Sequence, residues 1–158
     1  MTQADYFADF RDLYQEVILD HGRRPRHARR LESFDRSARG DNPMCGDRIQ
    51  IWVKMSGEKI GSVGFEARGC AISVASADLL AETVQGQNKE DAKALFEAFC
   101  TLARTGTCPS CKRELMKPMK LLAPLSGVHE FPSRVKCAML AWHALIAALD
   151  GSKEVSSE

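Results

Sequence analysis

The 158-residue sequence has no run of 18 apolar residues, which leaves no candidate for a membrane-spanning helix. It has no excess of either charge. Lys plus Arg number 22 and Asp plus Glu 21, a formal net charge of +1, so the basic field expected of a general nucleic-acid binder is missing. Residues 1–10 hold two Asp and lack the basic-then-apolar pattern of a secretory signal. These absences predict a cytoplasmic protein that binds neither membrane nor nucleic acid. No internal repeat and no linker composition interrupts the chain, so one domain is expected over residues 1–150, followed by a polar C-terminal tail over 151–158. That length buries a core without disulfide staples.

What is present is six cysteines. In a compartment that keeps thiols reduced, such a count reads as metal, catalytic or core residues rather than a disulfide framework. Their positions depend on the elements around them. Thr2–His21 carries Tyr6, Phe10, Leu13, Val17 and Ile18 at helical spacing, with Gly22 as a stop. Arg23–Gly40 holds seven Arg against Glu32 and Asp35 and reads mainly as loop, with a weak strand signal over Leu31–Ser37. Ile49–Met55 alternates, with Ile49, Ile51, Val53 and Met55 on one face and Gln50, Trp52 and Lys54 on the other. Val63, Phe65 and Ala67 continue the alternation beyond a turn at Ser56–Lys59, which makes an antiparallel hairpin.

From Cys70 the period changes to about 3.6. Ile72, Ala75, Leu79, Leu80 and Val84 predict a helix that ends at Gly86. Asn88 is placed to cap the next helix, with Leu95, Phe96, Phe99 and Leu102 on its apolar side and Gly106 at its end. Cys108–Leu122 is basic, with a short helix that Pro118 interrupts. Pro132 suits the first turn of a final helix lined by Val135, Met139, Trp142, Ile146 and Leu149, which Gly151 stops. The tail beyond is expected to fray. The order helix, small antiparallel sheet, helices is an α+β arrangement.

Three cysteines fall at junctions between these elements. Cys45 and Asp47 are two residues apart in Asp41-Asn42-Pro43-Met44-Cys45-Gly46-Asp47, where Asn-Pro and Gly46 turn the chain sharply enough for both side chains to converge. A thiolate and a carboxylate so close repel each other unless a cation lies between them. Cys70 stands where the second hairpin strand gives way to a helix, whose N-terminus favours a thiolate. Cys137 lies early in the last helix, after Arg134 and Lys136. Three thiols and a carboxylate suit tetrahedral zinc, or an iron–sulfur cluster after rearrangement. Spacing alone leaves the alternative that Cys70 and Cys137 are core residues, since free Cys is among the most buried residue types.

The chain resembles the SufU-type branch of the IscU/NifU N-terminal iron–sulfur assembly proteins. The resemblance lies in Leu13-Tyr14-Gln15-Glu16-Val17-Ile18-Leu19-Asp20-His21, in Asp41-Asn42-Pro43 with Cys45-Gly46-Asp47-Arg48, in Gly69-Cys70-Ala71-Ile72-Ser73 with Ala75-Ser76-Ala77, and in the run Phe131–Trp142. It implies a small three-stranded antiparallel sheet with helices packed on it, and metal ligands at Cys45, Asp47, Cys70 and Cys137. The scaffold branch carries His immediately before its last Cys, where this chain has Lys136. The SufU-type branch has extra residues between its second and third Cys, and here residues 71–136 intervene, 66 in all. Both features resemble the zinc-binding branch of the SUF system, which takes persulfide sulfur from a PLP-dependent, SufS-type cysteine desulfurase. The protein is then a sulfurtransferase-like partner of that enzyme rather than a stand-alone enzyme. Cys45 is the expected acceptor because it lies on a loop, with a downstream scaffold or apo-proteins receiving the sulfur. The alternative occupant of the same ligands is a transient 2Fe–2S cluster, which would make the chain a scaffold. A structural zinc module and a thiol oxidoreductase rank lower.

Cys100, Cys108 and Cys111 lie outside the resemblance. Cys108-Pro109-Ser110-Cys111 is a CxxC without the βαβ context of a redox motif, and is expected to be a loop element, with a second metal or a disulfide as the lesser reading. Cys100 beside Phe99 reads as core. His21 is expected at a helix end, His27 in solvent, His129 on a surface loop and His143 at a helix surface. Met116, Met119, Leu121 and Leu122 read as core, and the arginine-rich stretch as a solvated loop.

Overall fold

The computed structural model describes residues 15–43, 46–108 and 113–156. Residues 15–23 form helix α1, one residue longer than a stop at Gly22 requires, and the predicted start of this helix lies outside the described residues. Three strands follow: β1 (Arg36–Asn42), β2 (Asp47–Ser56) and β3 (Lys59–Arg68). Helices α2 (Ala71–Val84), α3 (Lys89–Thr105), α4 (Met116–Leu122) and α5 (Pro132–Leu149) come next, with 3-10 turns at Arg113–Leu115 and Ala123–Glu130. A last strand, β4 (Glu154–Ser156), returns to the sheet. The α+β class therefore holds.

The sheet order is β3-β2-β1-β4, antiparallel except for the parallel β1–β4 pair. The predicted hairpin is β2–β3, with a register shift between Lys54 and Met55. The resemblance implied three antiparallel strands; β1 supplies the third, and β4 adds a fourth that runs parallel to it. β1 occupies the end of the stretch read as loop, and its buried positions are Ala38, Gly40 and Asn42. A Cβ on Gly40 would stand 3.1 Å from both Ile49 Cγ2 and Leu140 Cδ1, so the glycine eases the close approach of α5 to β1. The tail does not fray: residues 154–156 pair with Arg39–Asp41.

Ile49, Ile51, Val53, Val63 and Phe65 turn one face of the sheet inward, where α5 packs on β1 and β2, and α2 on β3. Both helices are buried on most of their circumference, while α3 packs outside on α5 through an amphipathic face. Phe99 stacks on Trp142 with ring centroids 5.1 Å apart, both fully buried. Each such side chain contributes about 1.5–3 kcal/mol through removal of apolar surface from water. The caps follow the sequence: Asn88 Oδ1 accepts from Asp91 N–H at 2.7 Å, and Gly106 ends α3 in the left-handed conformation. Pro118 does not interrupt α4, because it falls in the first turn, where no intrahelical N–H bond is lost.

The opposite sheet face is covered in part by the arginine-rich segment. Leu31 is buried there, Arg30 lies 5.6 Å above the Trp52 ring, and Trp52 is 6% exposed although it points away from the core. The cluster read as core at residues 116–122 is divided: Met119 and Leu122 are buried, Met116 and Leu121 exposed.

Candidate metal centre

Three elements end at one point. Asp47 opens β2 directly after the β1–β2 turn, where Gly46 adopts φ +75° and its N–H bonds Asn42 O at 2.8 Å. Cys70 is the N-cap residue of α2, with extended backbone and no side-chain capping bond. Cys137 lies in the second turn of α5 and is 2% exposed. One carboxylate oxygen of Asp47 and the sulfurs of Cys70 and Cys137 all lie within 4.8 Å of one another, and Cys70 Sγ is 4.0 Å from Asp47 Oδ2. Ligands of a tetrahedral zinc stand about 3.3–3.8 Å apart, so a small inward adjustment brings these three to coordinating positions. Cys45, the fourth expected ligand, lies outside the described residues.

Asp47 is 4% exposed, and a carboxylate so buried requires partners. Ser73, one turn after Cys70, supplies one: its Oγ is 2.6 Å from Asp47 Oδ2 and 3.2 Å from Cys137 O. The hydroxyl proton goes to the carboxylate, the closer and charged acceptor. Ser76, one turn further, donates to Ala138 O at 2.5 Å. The two serines join α2 to α5 beneath the site. Gly69 closes the other side, since a Cβ there would stand 2.5 Å from Asp47 Oδ1. The exposed Arg134, three residues before Cys137, completes the rim. Charge interaction and hydrogen bonding with the Cys70 side chain raise its guanidinium above the usual arginine range, and Cys137 adds to the effect.

Residues 13–138 match the family model described as NifU-like N terminal domain. The chain belongs to this family. Among NifU-like relatives, the iron–sulfur cluster assembly scaffold protein IscU of Streptococcus pyogenes serotype M1 is 38% identical over 140 residues, covering 89% of this chain and 84% of that protein. The zinc-dependent sulfurtransferase SufU of Bacillus subtilis (strain 168) is 34% identical over 140 residues, covering 87% and 90%. A solved structure from Fervidobacterium islandicum AW-1, a candidate cluster-assembly scaffold of its SUF system, superposes with a TM-score of 0.73. It is 28% identical, over 85% of this chain and 94% of that one. The N-terminal NifU-like protein of Brucella abortus, at 18% identity and a TM-score of 0.76, shares the fold. Iron–sulfur cluster assembly is thus the setting of the chain, and no helix among the described residues is long and apolar enough to cross a membrane.

The remaining ligand-type residues of this NifU-like chain lie elsewhere. His21, Asp78 and Glu82 form a second close group among the described residues. Asp78 is fully buried on α2 and accepts from His21 Nδ1 at 2.5 Å, Arg26 N–H at 2.8 Å and His27 N–H at 2.9 Å. His27 Nε2 also faces Glu82 at 3.8 Å. His27 is therefore partly buried rather than a solvated residue, and Asp78 anchors the start of the basic segment to α2. An Asp inside a helical run was the available signal, and periodicity passes over it. His143 is half-buried edge-on against Phe96 rather than at the surface. His129 Nδ1 contacts Ser126 O at 2.7 Å. Cys100 is free and packs against the core. Cys108 is disulfide-bonded, which favours the lesser of the sequence readings, and its partner lies outside the described residues, as does Cys111.

Proposed function

We propose that this chain is a zinc-dependent sulfur acceptor that works with a PLP-dependent cysteine desulfurase of the SufS type in a cytoplasmic iron–sulfur assembly system. The single observation that carries the reading is the convergence of Asp47, Cys70 and Cys137 within 4.8 Å, with Cys45 two residues before Asp47 in the sequence. The donor set fits zinc: two sulfurs and a carboxylate oxygen, with Cys45 as the fourth ligand. Zinc bound there would keep these thiols deprotonated at neutral pH and so hold Cys45 as a protected nucleophile. The similarity to the Bacillus subtilis zinc-dependent sulfurtransferase, Lys136 in place of a His before the last Cys, and the long segment from Cys70 to Cys137 support this choice.

In the transfer itself, the Cys45 thiolate attacks the outer sulfur of the desulfurase cysteine persulfide. A sulfur–sulfur bond forms to Cys45, the one within the persulfide breaks, and the desulfurase cysteine leaves as thiolate, with no net redox change. Arg134, exposed at the rim, presents a cation to the incoming anionic persulfide.

The second reading is a scaffold that assembles a transient 2Fe–2S cluster on the same ligands, favoured by the name of the 38% identical Streptococcus relative. The two are separated by adding desulfurase and cysteine to the zinc-loaded protein. The acceptor reading expects faster alanine formation and a persulfide on Cys45, both lost in Cys45→Ala. Full stimulation by Cys45→Ala overturns it. A coloured, oxygen-labile protein that passes its cluster to apo-ferredoxin supports the scaffold.

A further inference from the structure

We infer that Ser73 is a positioning residue for Asp47: its hydroxyl holds the carboxylate against the Cys70 and Cys137 sulfurs and so sets how firmly this corner of the site grips a metal. The inference rests on the metal reading of the site.

Asp47 and Ser73 are both buried, 4% and 5% exposed, and their contact is short, 2.6 Å from Oγ to Oδ2. The carboxylate is fixed from both sides. Ser73 takes one oxygen, and the backbone at Gly69 lies so close to the other that a single added carbon would stand 2.5 Å from it. The position of Ser73 adds to this. It is three residues after Cys70 on α2, with its Oγ 4.0 Å from Cys70 Sγ and 3.2 Å from the backbone oxygen of Cys137. One side chain therefore touches all three of the residues that converge. Without a fixed partner, a carboxylate is free to turn about its Cα–Cβ bond and carry its oxygens away from the two sulfurs. A donor on Oδ2, the oxygen that lies 4.0 Å from Cys70 Sγ, opposes that rotation, and outer partners of this kind orient metal ligands in general.

Ser73 could instead serve only to join α2 to α5 through Cys137 O. Ser76 makes that kind of bond alone, to Ala138 O at 2.5 Å, and so provides the control. Zinc affinity is measured by competition with a chromophoric chelator, and the ligand field by the visible spectrum of the cobalt(II)-loaded protein, for wild type, Ser73→Ala, Ser73→Thr, Ser76→Ala, Asp47→Ala and the Asp47→Ala/Ser73→Ala double variant. Ser73→Ala is expected to weaken zinc binding by about 10–100-fold and to alter the cobalt spectrum. Ser73→Thr keeps the hydroxyl and is expected to stay near wild type, as is Ser76→Ala. In the Asp47→Ala background the Ser73 substitution is expected to cost nothing more. The inference is overturned if Ser73→Ala binds as wild type, if Ser73→Thr fails as Ser73→Ala does, if Ser76→Ala loses as much affinity, or if the Ser73→Ala loss persists without Asp47. A wild-type protein that takes up neither zinc nor cobalt overturns the metal reading itself, which none of the other outcomes does.

Discussion

Replacing Gly69 with Ala adds one carbon at the most crowded point of the site. That carbon would stand 2.5 Å from Asp47 Oδ1, 2.7 Å from Cγ and 3.2 Å from Cβ. Ordinary contact begins near 3.4 Å, so about 0.9 Å must be found (3.4 less 2.5). The carboxylate cannot supply it by swinging outward, because it is buried and Ser73 holds Oδ2. The backbone cannot supply it freely either, since the next residue is Cys70 and any shift carries that sulfur along. Metal ligands must keep their distances within about 0.2 Å, so a displacement several times larger removes a donor by either route. The expected cost is a loss of zinc affinity of about 10–100-fold or more, with destabilisation of about 1–3 kcal/mol from overpacking. Chelator competition measures the first and denaturant unfolding of the metal-free protein the second. Gly127→Ala is the control, because its Cβ would meet open space. If Gly69→Ala holds zinc within about threefold of wild type and Gly127→Ala does the same, the steric reasoning is refuted.

Two further outcomes follow from other parts of the molecule. Asp78→Ala removes the acceptor for His21 Nδ1, Arg26 N–H and His27 N–H, and is expected to cost about 2–4 kcal/mol and to speed tryptic cleavage within residues 23–30. Unchanged melting and unchanged cleavage would contradict the anchoring role. His143 is held below the usual histidine range by burial, with Arg104 adding to the effect. The unfolded chain therefore takes up this proton first as pH falls through about 6.5. Stability contributed by the neutral, buried ring is present above that pH and is lost toward the lower folded value. His143→Gln should flatten the fall in denaturant midpoint between about pH 7 and pH 5.5, and an equally steep fall in the variant would remove His143 as its source.

The hairpin, the Asn88 cap, the Gly106 stop and the Pro132 helix start were legible because each rests on local chemistry: alternation, a side-chain acceptor, a left-handed glycine, a fixed φ. β1 was not, because its buried positions are Ala38, Gly40 and Asn42, chosen for the close approach of α5, and they carry no hydrophobic period. β4 was not, because Glu154–Ser156 is tied down by β1 rather than by its own composition. Trp52 was assigned an outward direction correctly, yet its burial depends on Arg30 and Leu31 crossing that face. At the site, Asp47, Cys70 and Cys137 could be named from junction positions together with the family resemblance. Ser73 stood in the same motif without a role, because a serine inside a helix looks alike whether it meets a carboxylate or a carbonyl.

The covered edges of the sheet bear on how a partner is met. On one side β4 lies along β1. On the other, β3 donates from Phe65 N–H to His27 O and from Ile60 N–H to Gln87 O, and accepts at Ile60 O from Gly86 N–H. The chain's own flanking segments thus occupy part of both borders, which shortens the free backbone available to an incoming strand. The end of the sheet where β2, α2 and the first turns of α5 begin is a separate surface, and the Cys70 and Cys137 sulfurs lie there. A protein that docked there would meet the sulfur-bearing corner at once, and binding and access to the site would then be a single event.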